Sequence, residues 1–130
     1  MRSWSAESDG SPAAAWALIS RPGAWPQWAP HVRGAWGLGS GEVRAGDAGA
    51  ARLLGVAPVP VAITAVDRPR SWTWRVAGLV DMEHRVQPRG SGCTVAIELR
   101  APAPLETALA LAYGPVIGLT LRRLARLSER

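Results

Sequence analysis

From Val32 to Arg100 the chain alternates apolar and polar residues with a period of two, broken at intervals by glycine, proline and arginine. A strand turns successive side chains to opposite faces, so this pattern belongs to strands with one buried side. The candidates are Val32–Leu38, Ala48–Leu54, Val59–Asp67, Ser71–Ala77, Leu79–Gln87 and Thr94–Arg100. Several links, among them Arg68-Pro69-Arg70, Gly78 and Arg89-Gly90-Ser91-Gly92, are too short for a crossover. They call for hairpins, and hence an antiparallel meander. Pro58 and Pro60 place the start of their strand at an edge or a bulge.

Helical signals lie at both ends of this run. Residues 2–8 read as a first strand, after which Asp9 or Ser11 can cap a helix with Pro12 in its first turn and Ile19 near its end. Arg21-Pro22-Gly23 stops it, and a brief second helix over Ala24–Trp28 is closed by Pro30. The last element is a long helix over Pro104–Ser128, with Leu105, Leu109, Ala112, Tyr113, Val116, Ile117, Thr120, Leu121, Leu124 and Leu127 on one face. Gly114-Pro115 predicts a bend in it. Ala108, Ala112, Gly114 and Gly118 put small residues where a packed helix favours Leu, which reads as room beneath for a guest. The fold class is α+β.

Length and charge bound the rest. A chain of 130 residues fits one domain, 1–130. Its net charge of +5 comes from arginine alone, spread from Arg2 to Arg130. The one tight cluster, Arg122, Arg123 and Arg126, reads as a solvated helix end, so no nucleic-acid partner is expected. Prolines, Glu106 and Gly114 interrupt the longest apolar stretch, and no membrane span is expected. The polar N-terminus lacks the pattern of a secretory signal, which makes a cytoplasmic location the expectation. The lone Cys93 excludes an internal disulfide and reads as a buried thiol. Leu111 and Leu119, on the far side of the long helix, hint at a homodimer contact or at nothing.

Three of the seven tryptophans fall between Trp16 and Trp28, next to helix-breaking prolines. Indoles pinned at a bend suit the wall of an apolar cavity. By alternation Val80, Met82, His84 and Val86 share the inner face, while Asp81, Glu83 and Arg85 form a charged ladder outside. Trp72, Trp74 and Val76 share a face, as do Cys93, Val95, Ile97 and Leu99. His84 therefore points inward, either as a packed histidine or as a group that moves protons. Tyr113 is either a core tyrosine or a second proton donor. His31 is placed near a cavity mouth, and Arg52 is either solvated or turned inward toward a carbonyl or carboxylate. No metal-ligand set, dinucleotide loop or nucleophile elbow is present, so neither metal nor cofactor is expected.

Four segments carry a resemblance. Ser11–Ile19, Trp25-Pro26-Gln27-Trp28-Ala29-Pro30, Val66–Trp72 and Gly90–Val95 are similar to successive elements of the SRPBCC (START-like, helix-grip) superfamily, in particular its small bacterial polyketide cyclase/dehydratase-like members. The resemblance implies a seven-stranded curved antiparallel sheet wrapped around the C-terminal helix, two short helices after the first strand, and a deep apolar cavity between sheet and helix. It implies a hydrophobic small-molecule ligand or substrate. It leaves two roles open: a cofactor-independent cyclase, aromatase or dehydratase of secondary metabolism, or a non-catalytic carrier or sensor of a lipid, isoprenoid or aromatic metabolite. The expected site has His84 and Tyr113 handling protons, with Trp25, Trp28, His31, Trp36, Arg52, Trp72, Trp74, Met82, Ala112 and Val116 around the ligand.

Overall fold

A computed structural model describes residues 2–29, 32–39, 41–53 and 58–130. Strand β1 (Arg2–Ser8) leads into helix α1 (Pro12–Ile19), a single 3-10 turn (Pro22–Ala24) and helix α2 (Trp25–Trp28). Six strands follow: β2 (Val32–Trp36), β3 (Ala48–Leu53), β4 (Val59–Asp67), β5 (Ser71–Val76), β6 (Val80–Arg89) and β7 (Gly92–Arg100). Helix α3 (Leu105–Ser128) closes the chain. The sheet has seven strands in the order β1-β7-β6-β5-β4-β3-β2, with every pairing antiparallel. The helix-grip architecture is therefore present, and no helix among the described residues is long and apolar enough to cross a membrane.

Turn chemistry explains the strand ends. β5 stops one residue before the expected Ala77, because Ala77 (φ 55) and Gly78 (φ 69) both take left-handed backbone and leave Leu79 in the turn. β6 and β7 reach further than alternation suggested, since Gly90 (φ 59) makes the reversal tight enough for Arg89 to pair with Gly92. Pro88 is tolerated there because β5 pairs with β6 only as far as Arg85, so Pro88 lacks a partner strand on one side.

Register carries the inner face across the sheet. One cross-strand row runs Trp4, Ile97, His84, Trp72, Val66, and the next runs Leu99, Met82, Trp74, Ile63. Between Ile63 and Ala65 the pairing of β4 with β5 shifts by one residue. Such a bulge resets which side chains point inward and sharpens the local twist. α1 opens on the side-chain oxygen of Ser11, which accepts from the Ala14 amide at 3.1 Å. α3 lies against β1 and β7 and is fastened at its C-terminal end. There Ser8 Oγ donates to the Ala125 carbonyl at 2.9 Å, and the Asp9 amide donates to Glu129 at 2.8 Å. Gly10 is required at this crossing, because a Cβ would stand 2.0 Å from the Ser128 carbonyl oxygen.

Candidate ligand cavity

A cavity of about 250 Å³ lies between the inner face of the sheet, α2 and the inner face of α3. The sheet supplies Trp72 and Trp74 from β5, Met82 and His84 from β6, and Ile97 and Leu99 from β7. Trp25, Trp28 and Ala29 close it at α2, and Leu109, Tyr113, Ile117 and Thr120 face it from α3. Val59, Val76 and Val80 complete the lining, into which no described Arg, Asp or Glu enters.

The aromatic wall is itself packed. Trp72 stacks on His84 with ring centroids 3.8 Å apart and on Trp25 at 5.4 Å. Trp74 meets Trp25, Trp72 and His84 edge to face at 5.3, 5.6 and 5.9 Å. Edge-to-face and offset contacts of this kind add to burial alone.

The indole N–H groups account for the wall's position. Trp25 and Trp72 both donate to the Ile19 carbonyl, at 3.0 and 2.9 Å, and Trp28 donates to the Leu18 carbonyl at 2.9 Å. Carbonyls in the last turn of a helix have no partner within it. The tryptophans thus cap the C-terminal end of α1 while their rings form the cavity wall. Trp16 is held differently, its N–H donating to Glu42 at 2.6 Å, and Glu42 in turn pairs with Arg68.

Two polar atoms in the wall are unmatched: Trp74 Nε1 and His84 Nδ1 are buried and have no hydrogen-bond partner among the described residues. Burial pushes the His84 imidazole down to about 3, against a smaller opposing pull from backbone groups of Trp72 and Met82. The ring is therefore neutral across the physiological range. Such a group is available to accept a proton but is a weak base, since efficient general bases have pKa values near the working pH.

The sequence of residues 3–129 matches the family described as polyketide cyclase / dehydrase and lipid transport. The chain belongs to this family. Comparison with curated proteins gives no match. Among solved structures it is similar to protein NE0264 from Nitrosomonas europaea, with 16% identity, 98% of this chain and 92% of that one covered, and a TM-score of 0.77. It is similar to the KanY protein at 18% identity, 98% and 96% coverage and a TM-score of 0.75. CalU16 from Micromonospora echinospora follows at 16% identity, 97% and 79% coverage and a TM-score of 0.64. At these identities the structural likeness speaks to the fold.

Within this family fold, the structure places Trp25, Trp28, Trp72, Trp74, Met82, His84 and Tyr113 in the cavity lining. Three expected positions lie elsewhere. Trp36 ends the edge strand β2 opposite Ala50 and is 49% exposed, away from the lining. Ala112 is exposed and Val116 half-buried, and neither reaches the lining, to which α3 contributes Leu109, Tyr113, Ile117 and Thr120. His31 and the Arg52 side chain lie outside the described residues. The small residues of α3 also have another purpose. At Gly114 a Cβ would come within 3.2 Å of the Trp4 indole, so this glycine makes room for a tryptophan.

Val59 carries no sequence signal for the site beyond opening a strand. Leu109, Ile117 and Thr120 belong to the apolar face that periodicity gives the long helix, Val80 to the inner face of its strand, and Ile97 and Leu99 to one shared face, and none of these is among the expected site residues.

Proposed function

We propose that this chain binds an uncharged, predominantly apolar small molecule between its sheet and α3, as a carrier or sensor. The observation that carries this reading is the lining: aromatic and aliphatic side chains enclose the cavity, and no described charged side chain enters it. Its size lies near the lower end of ligand pockets, roughly 300–1,000 Å³, and above cavities of about 150 Å³ that take up benzene. A guest of one or two rings fits that scale.

The test is a titration with the neutral fluorophore N-phenylnaphthylamine. The wild type is expected to enhance its emission saturably. Ile117→Trp, which fills the inner face of α3, is expected to abolish the enhancement while circular dichroism stays unchanged. Equal enhancement in both proteins removes the reading.

A second reading, a polyketide cyclase, aromatase or dehydratase, is favoured by His84 and Tyr113 lining the same cavity and by the family description. A cavity can promote cyclisation by holding a flexible chain in a reactive conformer. The low basicity of His84 weighs against proton abstraction as its contribution. If this second reading holds, His84→Gln lowers turnover of a poly-β-ketone about 100-fold with affinity retained. Unchanged turnover leaves binding.

A further inference from the structure

Nearly every indole in the cavity wall has its N–H engaged. Those of Trp25, Trp72 and Trp28 are taken up by the Ile19 and Leu18 carbonyls, and the Thr120 hydroxyl donates to the Ile117 carbonyl at 2.8 Å. Trp74 differs. It is 5% exposed, lines the cavity, and its buried Nε1 has no hydrogen-bond partner among the described residues. Next to it, with ring centroids 5.9 Å apart, is His84, 4% exposed and unpartnered at Nδ1. Two buried polar atoms without a described partner therefore sit in neighbouring rings of a wall whose other polar side-chain groups are the Tyr113 and Thr120 hydroxyls.

The chemistry of the first is unambiguous. An indole nitrogen only donates, so it can be satisfied only by an acceptor. An orphan donor in a low-dielectric setting is costly, and a guest that supplies the acceptor recovers that cost on binding. A carboxylate would be the strongest acceptor, but no described cation lines the cavity to offset its loss of solvation. The acceptor that fits is a neutral oxygen.

We infer that Trp74 is a specificity-determining residue, whose N–H selects an uncharged ring compound bearing a carbonyl oxygen over the same ring skeleton without one. His84 supplies the second polar contact of this corner. The inference rests on the proposed binding role and adds the ligand's chemical class.

The test displaces N-phenylnaphthylamine with three probes: α-tetralone, tetralin and naphthoate. The ketone is expected to bind about tenfold or more tightly than the hydrocarbon, and the charged naphthoate to compete poorly. Trp74→Phe is expected to remove the ketone's advantage while leaving tetralin binding within about threefold. In the ¹⁵N-labelled wild type, the Trp74 indole resonance is expected to move downfield with the ketone and not with tetralin, a readout that needs no variant to fold. Equal affinity of ketone and hydrocarbon, or an advantage that survives in Trp74→Phe, overturns the inference; the N–H then rests on the face of a neighbouring ring. Tight naphthoate binding overturns the uncharged class. In each of these outcomes the fluorophore still binds and the carrier reading stands, stripped of its uncharged class if naphthoate binds tightly, whereas failure of the fluorophore itself removes both.

Discussion

The two faces of the central sheet treat polarity in opposite ways. On the outer face charges meet partners at once: Arg75 holds Asp81 through two hydrogen bonds at 2.8 and 3.2 Å, Arg85 lies 3.0 Å from Glu83, and Glu98 sits between Arg85 and Arg100. On the inner face Trp74 and His84, the chain neighbours of Arg75 and Arg85, each keep a buried nitrogen, Nε1 and Nδ1, with no hydrogen-bond partner among the described residues. The outer charges all lie in ion pairs, although Arg85 Nε makes no hydrogen bond among the described residues. The inner pair has no described counter-charge beside it, and its unmatched polarity is what the proposed guest would relieve.

The comparison breaks most visibly at Trp72, which ties the inner wall together by its stacks on Trp25 and His84 and its bond to Ile19. Trp72→Ala is expected to cost about 3–5 kcal/mol in urea unfolding, the range for removing a buried aromatic. A loss below about 1 kcal/mol would mean that the wall is held from elsewhere.

Acid sharpens the contrast next. His84 titrates at about 3 in the folded protein, whereas in an unfolded chain a histidine titrates near ~6.5. Below ~6.5 the unfolded chain takes up a proton that the folded one refuses, so stability falls as pH drops from there toward 3 and is indifferent to this group above. At pH 4 the loss is expected to be on the order of a few kcal/mol. His84→Gln should show a shallower acid slope than the wild type over the same interval. Parallel slopes would mean that the ring takes up its proton without unfolding.

The smallest effect belongs to the outer face. Asp81→Asn is expected to move the thermal midpoint by no more than about a degree or two, and by less in 1 M salt, because exposed ion pairs contribute little and are screened. A large, salt-insensitive shift there would erase the distinction between the faces.

Alternation makes the two faces legible in the sequence: parity turns Met82 and His84 inward and Asp81, Glu83 and Arg85 outward and puts Trp72 and Trp74 on one shared face, while the resemblance places those two indoles at the ligand. The C-terminal helix was harder. Small residues there were read as space for a guest, but Gly114 answers Trp4 of β1, a contact between residues at opposite ends of the chain. Ala112 and Val116 share the periodic apolar face but lie off the lining, because periodicity defines a helix face while its angle to the sheet is a tertiary property. The one-residue shift at Ile63/Ala65 leaves no mark in composition either. Nor do the partners of the indole N–H groups, since most of these acceptors are backbone oxygens and every residue carries one.

That last point reaches into how the protein can change. The oxygen that anchors both Trp25 and Trp72 belongs to the main chain of residue 19, and no side-chain replacement at that position can delete it. The keystone is thus insulated from side-chain mutation, while Met82, Leu109 and Ile117 line the cavity with side chains that mutation can change. On the proposed reading, the surroundings of the guest can vary while the anchor of the wall stays in place.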